Sequence, residues 1–139
     1  MKIEESAYKD DFLIKLEEPF GNFYVFTHFV VGEIKEGVHF DWDKASIVIE
    51  RIYDFFGSRE IKVAYISNRI YSYSVTAQDW LEFYRQRNTL TCFAVVVYSK
   101  IGWMNVAMEK IFFKSKLKKF NNLSKAIKWT EKMKKKPQE

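Results

Sequence analysis

The stretch of this 139-residue chain with the most varied chemistry is Ser67-Asn68-Arg69-Ile70-Tyr71-Ser72-Tyr73-Ser74. Hydroxyls, an amide, phenols and a guanidinium crowded together suit recognition better than catalysis, because Tyr and Arg carry much of the energy of binding surfaces. The segment directly follows an apolar strand, IKVAYIS, and in open α/β sheets ligands bind outside the carboxyl ends of parallel strands. A partner or ligand site is therefore expected at Ser67, Asn68, Arg69, Tyr71, Ser72 and Tyr73. Elsewhere reactive side chains are sparse. His28 falls within a predicted strand and His39 just before a helix, with no HxH or HExxH spacing to make a metal site. Cys92 is the single cysteine, which excludes an intramolecular disulfide and a CxxC site, and its apolar strand context reads as a small buried hydrophobe. Asp41 and Asp43 serve better as first-turn carboxylates facing a helix dipole than as an acid and base pair. With no GxGxxG or GxxxxGK[ST] loop to cradle a phosphate, the expectation is a non-enzyme with no cofactor and no metal.

The net charge of +5 conceals a polarity. Residues 1–60 carry 7 basic and 13 acidic side chains, whereas residues 100–139 carry 12 and 3. Lys114, Lys116, Lys118 and Lys119 follow an apolar helix containing Trp103, Phe112 and Phe113. That arrangement reads either as an apolar face with a basic collar suited to an anionic membrane, or as a core helix with solubilising lysines. Nucleic acid is not expected as a partner, since the lysines lack interleaved aromatics and no reader motif is present. The longest runs free of Asp, Glu, Lys and Arg, residues 19–32 and 88–99, are too short to span a bilayer. No apolar leader stands at the N-terminus, so a cytoplasmic protein, at most peripheral at the inner membrane surface, is expected. Asn122-Leu123-Ser124 reads as helix-start chemistry rather than as a glycosylation acceptor.

These residues need positioning elements, and the patterning supplies them. Residues 12–17 and 22–34 read as two strands joined by a turn at Pro19, Gly21 and Asn22. Asp41 caps a helix to Phe56 that Gly57 ends, its apolar face set by Trp42, Ala45, Ile49 and Ile52. Residues 61–67 form a core strand, with 68–75 as a loop. Thr76 opens a second helix with Asp79 completing a partial capping box. Residues 90–98 form a buried strand, 102–115 an apolar helix, 117–120 a short strand and 123–134 a last helix, before a frayed basic tail at 135–139. The order ββαβαβαβα predicts one α/β domain with a core over about residues 12–134. Its sheet is mostly parallel, with an N-terminal antiparallel hairpin and flanking helices. Val25, Phe29, Val63, Tyr65, Phe93, Val95 and Val97 are expected inside.

The paired N-terminal strands lead through Gly32-Glu33-Ile34 to an acidic-capped helix. With them stand IKVAYIS, FAVVVYS, the helix beginning Gly102-Trp103, and Lys119-Phe120-Asn121-Asn122-Leu123 before Ala126-Ile127-Lys128-Trp129. Together these resemble the SpoIIAA-like proteins of the STAS group, a fold shared in outline with CRAL-TRIO lipid-transfer domains. The resemblance covers about residues 20–135. It implies a non-catalytic regulatory or protein-binding module of bacterial type, with an unidentified protein partner or a second copy in a homodimer. It also implies a phosphorylatable serine where the core strand meets the next element, here Ser67. The alternative is a small module that binds lipid or another apolar molecule and visits the membrane surface.

Overall fold

The computed structural model describes residues 1–134, and the basic tail read at 135–139 lies outside them. A 3-10 turn, Ile3–Glu5, precedes three strands, β1 (Ile14–Glu18), β2 (Gly21–Val25) and β3 (Phe29–Ile34), paired antiparallel in sequence. The short β4 (His39–Phe40) leads to α1 (Trp42–Phe56), then β5 (Ala64–Arg69) and the short β6 (Ser74–Val75). After these come α2 (Asp79–Arg85), β7 (Phe93–Val97), α3 (Lys100–Phe112), β8 (Leu117–Phe120) and α4 (Leu123–Lys134). The main sheet runs β1-β2-β3-β5-β7-β8, with β3, β5, β7 and β8 mutually parallel, while β4 and β6 pair as a two-stranded parallel patch.

Strand order follows chain order, so each crossover steps the same way across the sheet. Crossovers of one hand taken in one direction place every connecting helix on the same face. Val48 and Ile52 of α1 accordingly pack with Phe23, Val25, Val30 and Val63, and Val106 of α3 packs with Phe93, Val95 and Val97. Only α4, which follows the last strand, covers the opposite face. There Leu123, Ala126 and Ile127 meet Tyr24, Val31, Ile66, Ala94 and Val96, with Ile3 beside them.

The expected mostly parallel α/β sheet with helices on both faces is present, and six of the seven named core positions are buried, Tyr65 being the half-buried one. Asp41 caps α1 by accepting from the Lys44 amide at 3.2 Å, and Gly57 ends it at φ +70°, the left-handed region that a residue with a Cβ rarely adopts.

Three details differ from the sequence reading. Residues 22–34 are two strands, because Phe26-Thr27-His28 turns the chain and the Phe26 amide donates to the Phe29 carbonyl at 2.8 Å. The turn resets the alternation, so Val30 shares a face with Phe23 and Val25, while Phe29 and Val31 join Tyr24 and Phe26. His28 is thus an exposed turn residue and not a strand residue. The second difference is that β5 continues past Ser67 through Asn68 and Arg69, so that Ser67, Asn68 and Arg69 pair with Val95, Val96 and Val97 of β7, and with Ser74–Val75 in β6 half of the expected loop is strand. Finally, α2 begins at Asp79 and not at Thr76. The Thr76 hydroxyl is taken by His39 Nε2 at 2.7 Å, and Asp79 accepts from the Trp42 amide of α1 at 2.7 Å.

Candidate ligand-binding site

Between α1, α2 and the sheet lies a cavity of about 130 Å³. Val63, Tyr65 and Phe93 form its floor, Val48 and Ile52 one wall, and Trp80 and Phe83 the other. The floor follows from strand alternation: Val63, Tyr65, Ser67 and Arg69 project to the same side of β5. Tyr65 lies flat because its ring stacks on Phe93 with centroids 5.5 Å apart. It also crosses Gly32 of β3, where an added Cβ would come within 2.3 Å of the phenol oxygen, so glycine there makes room for the tyrosine.

One end of this apolar space is polar. Ser67 Oγ accepts from Arg69 Nε at 3.0 Å and shares a hydrogen bond of 2.8 Å with the Tyr73 hydroxyl. Arg69 Nη2 reaches Glu109 Oε2 at 2.5 Å, and Trp80 Nε1 donates to Glu109 Oε1 at 3.3 Å. The guanidinium also lies over the Tyr73 ring, 5.5 Å from its centroid. The Arg69 and Glu109 side chains are only 10% and 3% exposed. Burial works against the Arg69 charge, yet the Tyr73 phenol and the Glu109 carboxylate beside it raise its pKa on balance. Burial pushes the Tyr65 and Tyr73 phenols upward, so both keep their protons at neutral pH.

The structure sorts the expected loop site into three. Ser67, Arg69 and Tyr73 come together at the polar end of the cavity. Asn68 turns to the other face, fully buried, where its Nδ2 donates to Glu33 Oε2 at 2.8 Å and its Oδ1 accepts from Tyr98 at 2.8 Å. Tyr71 and Ser72 face solvent on the connection to β6. Arg69, placed by the sequence in a loop, is half of a buried ion pair. Ser67 is 1% exposed with its oxygen already hydrogen-bonded, so phosphoryl transfer to it requires the strand end and the Tyr73 connection to open first.

The expected membrane patch is also rearranged. Phe113 is 6% exposed, packed with Trp80 at 4.9 Å and Phe93 at 5.3 Å, and is part of the core. Phe112 is half-buried. Trp103 is exposed and does belong to an outer face, but its apolar companions are Met104, Met108 and Ile111. Lys119 sits over the Trp103 ring at 4.7 Å and Lys114 over Tyr84 at 5.4 Å, while Lys116 and Lys118 are exposed.

Glu109 is the site residue that the sequence reading missed. Its signal is positional: Val106, Glu109 and Phe113 follow the three-then-four spacing of one helical face, and all three are buried. An acid on the inner stripe of an apolar helix requires a cation or strong donors, which Arg69 and Trp80 provide. Trp80 and the α1 wall went unrecognised because they lie far from the Ser67 segment in sequence. Cys92 is fully buried with its thiol pushed up to about 11 by burial, so it stays a protonated core side chain.

No family model, no curated protein and no solved structure matches this chain.

Proposed function

We propose that this protein is a non-catalytic carrier or sensor module, of SpoIIAA-like order, that binds a small, mostly apolar molecule in the cavity between α1, α2 and the sheet. The observation that carries the reading is the cavity itself: about 130 Å³ walled by aliphatic and aromatic side chains, with polar groups gathered at one end. Binding pockets are typically apolar concavities with a few convergent polar groups that fix orientation. The polar groups here are engaged with one another, and none forms a nucleophile and base pair, which favours retention of a molecule over its conversion.

Native mass spectrometry of freshly purified protein, together with a toluene titration followed by amide NMR, tests this. Toluene is expected to shift amides around Val48, Ile52 and Phe93, and Ala45→Phe, which grows a ring into the space from α1, is expected to abolish those shifts. Unchanged spectra at millimolar toluene, with no retained mass, would sink the reading.

A second reading, contact with an anionic membrane, draws on the outer face of α3. Trp103, Met104, Met108 and Ile111 are 43%, 74%, 54% and 70% exposed, and lysines flank them. Among the described residues no helix is long and apolar enough to cross a membrane, so this contact would be peripheral. Flotation with vesicles rich in phosphatidylserine tests it: binding that persists at physiological salt and fails in Met104→Lys with Ile111→Lys supports it, and wild-type protein that stays off the vesicles refutes it.

A further inference from the structure

The charge arrangement at the polar end of the cavity limits what the occupant's head group is. Three carboxylates and one guanidinium border the space: Asp41, Asp79, Glu109 and Arg69. Each already holds a partner. Asp41 accepts from the Lys44 amide at 3.2 Å and pairs with the Lys44 ammonium at 3.6 Å. Asp79 accepts from the Trp42 amide, and Glu109 and Arg69 hold each other. An ion of either sign entering the cavity would lose its hydration, and among the described residues the one bordering charge without a counterion is Asp79, whose carboxylate is already hydrogen-bonded by the Trp42 amide. A carboxylate would in addition face Glu109 beside the Arg69 it sought.

A neutral head group meets a different situation. Ser67 Oγ already accepts from Arg69, and it shares one proton's worth of hydrogen bonding with Tyr73. If Ser67 donates in that bond, the Tyr73 hydroxyl hydrogen is free to donate to a ligand. If Tyr73 donates, its oxygen is free to accept. The Tyr73 hydroxyl can therefore serve a ligand hydroxyl in either role, or donate to a carbonyl, by a rotation of hydroxyl hydrogens alone. The volume adds a size limit: an apolar cavity of about 150 Å³ holds a single benzene ring, and this one, at about 130 Å³, is of that order.

Resting on the cavity reading, we infer that the occupant is an uncharged, single-ring-sized molecule bearing one hydroxyl or carbonyl group, and that Tyr73 is the residue that engages this group. The test is a set of amide NMR titrations at pH 7 with phenol, toluene, benzoate and benzylamine, on wild type and on Tyr73→Phe. Phenol is expected to bind, with benzoate and benzylamine at least about thirtyfold weaker because each carries a charge into an apolar site. In Tyr73→Phe, phenol affinity is expected to fall about five- to tenfold, the worth of one neutral hydrogen bond, while toluene affinity stays within about twofold. Retained toluene binding also shows that the variant keeps its cavity. Toluene binding with phenol affinity indifferent to the substitution overturns the head-group inference and leaves the cavity reading standing. So does benzoate or benzylamine binding as tightly as phenol. If none of the four probes binds, both fail together.

Discussion

Among the described residues the two faces of the sheet each bury one carboxylate, and they treat it differently. On the face covered by α1, α2 and α3, Glu109 is met by the Arg69 guanidinium at 2.5 Å and by the Trp80 indole. On the face covered by α4, Glu33 is met only by neutral donors, the Ile3 amide at 2.8 Å and Asn68 Nδ2 at 2.8 Å. Burial, which these donors offset only in part, holds the Glu33 carboxyl above the usual carboxylate range. Packing differs in the same sense. Over the centre of the sheet the α4 face is filled by Ile66, Ala94, Val96, Ala126 and Ile127, each at most 2% exposed, with an open cleft at its edge beside the Phe26-Thr27-His28 turn, whereas the opposite face leaves its cavity beneath α1 and α2. Both faces hold a buried polar cluster, but one gives its carboxylate neutral donors in a filled interior and the other gives it an ion pair beside open space. β5 serves both by sending Ala64, Ile66 and Asn68 one way and Tyr65, Ser67 and Arg69 the other.

The largest expected effect breaks the ion pair. Arg69→Ala leaves Glu109 buried without its cation and is expected to cost about 3–5 kcal/mol in urea unfolding. Arg69→Met with Glu109→Leu, which removes both charges, should recover most of that loss, and a double variant as unstable as the single one would show that the pair matters through shape rather than charge.

A single type of change should have opposite signs on the two faces. Ala126→Leu, at a fully buried position of α4, overfills a packed interface and is expected to destabilise by about 1–3 kcal/mol. Ala45→Leu grows into the cavity from α1 and is expected to stabilise by about 0.5–1 kcal/mol while weakening toluene binding. Equal losses at both sites would mean that the two faces are packed alike.

The gentlest test concerns Glu33. Its folded-state pKa is raised above the ordinary 4.5, so the folded protein holds this proton more tightly than the unfolded chain does. Its contribution is therefore most favourable below the unfolded value. It declines as pH rises from there through the raised folded value, and is level beyond it. Glu33→Gln, which keeps a side-chain oxygen to accept from Ile3 and Asn68, is expected to flatten that part of the stability profile and to raise the melting temperature slightly at neutral pH. Urea melts of both proteins between pH 4 and 8 check it, and parallel profiles would remove Glu33 as the source.

Legibility in the sequence divides along similar lines. Strands β5 and β7 and helices α1 and α4 were readable because burial on one side imposes a period, and Asp41 and Gly57 mark the ends of α1 by local backbone chemistry. The β2–β3 turn was not, because the apolar residues on both sides conceal a three-residue interruption, Phe26-Thr27-His28, that carries no glycine or proline. The site was half legible. Ser67, Arg69 and Tyr73 stood out by type, but alternation along an extended strand, and not a loop, decides that Asn68 leaves their company.

By itself, then, the sequence determined the α/β class, the mostly parallel sheet, the capped first helix and the rarity of catalytic residue sets, since each depends on composition, period or neighbours a few residues apart. Tertiary structure alone decided that Glu109 meets Arg69 across 40 positions, that Phe113 turns inward while Met104, Met108 and Ile111 stay out, and that space remains beneath α1 and α2. The physical reason is that an ion pair, a side chain's burial and a cavity are properties of surfaces brought together by crossovers. Which surfaces meet depends on the order and hand of every strand connection, and no single segment carries that information.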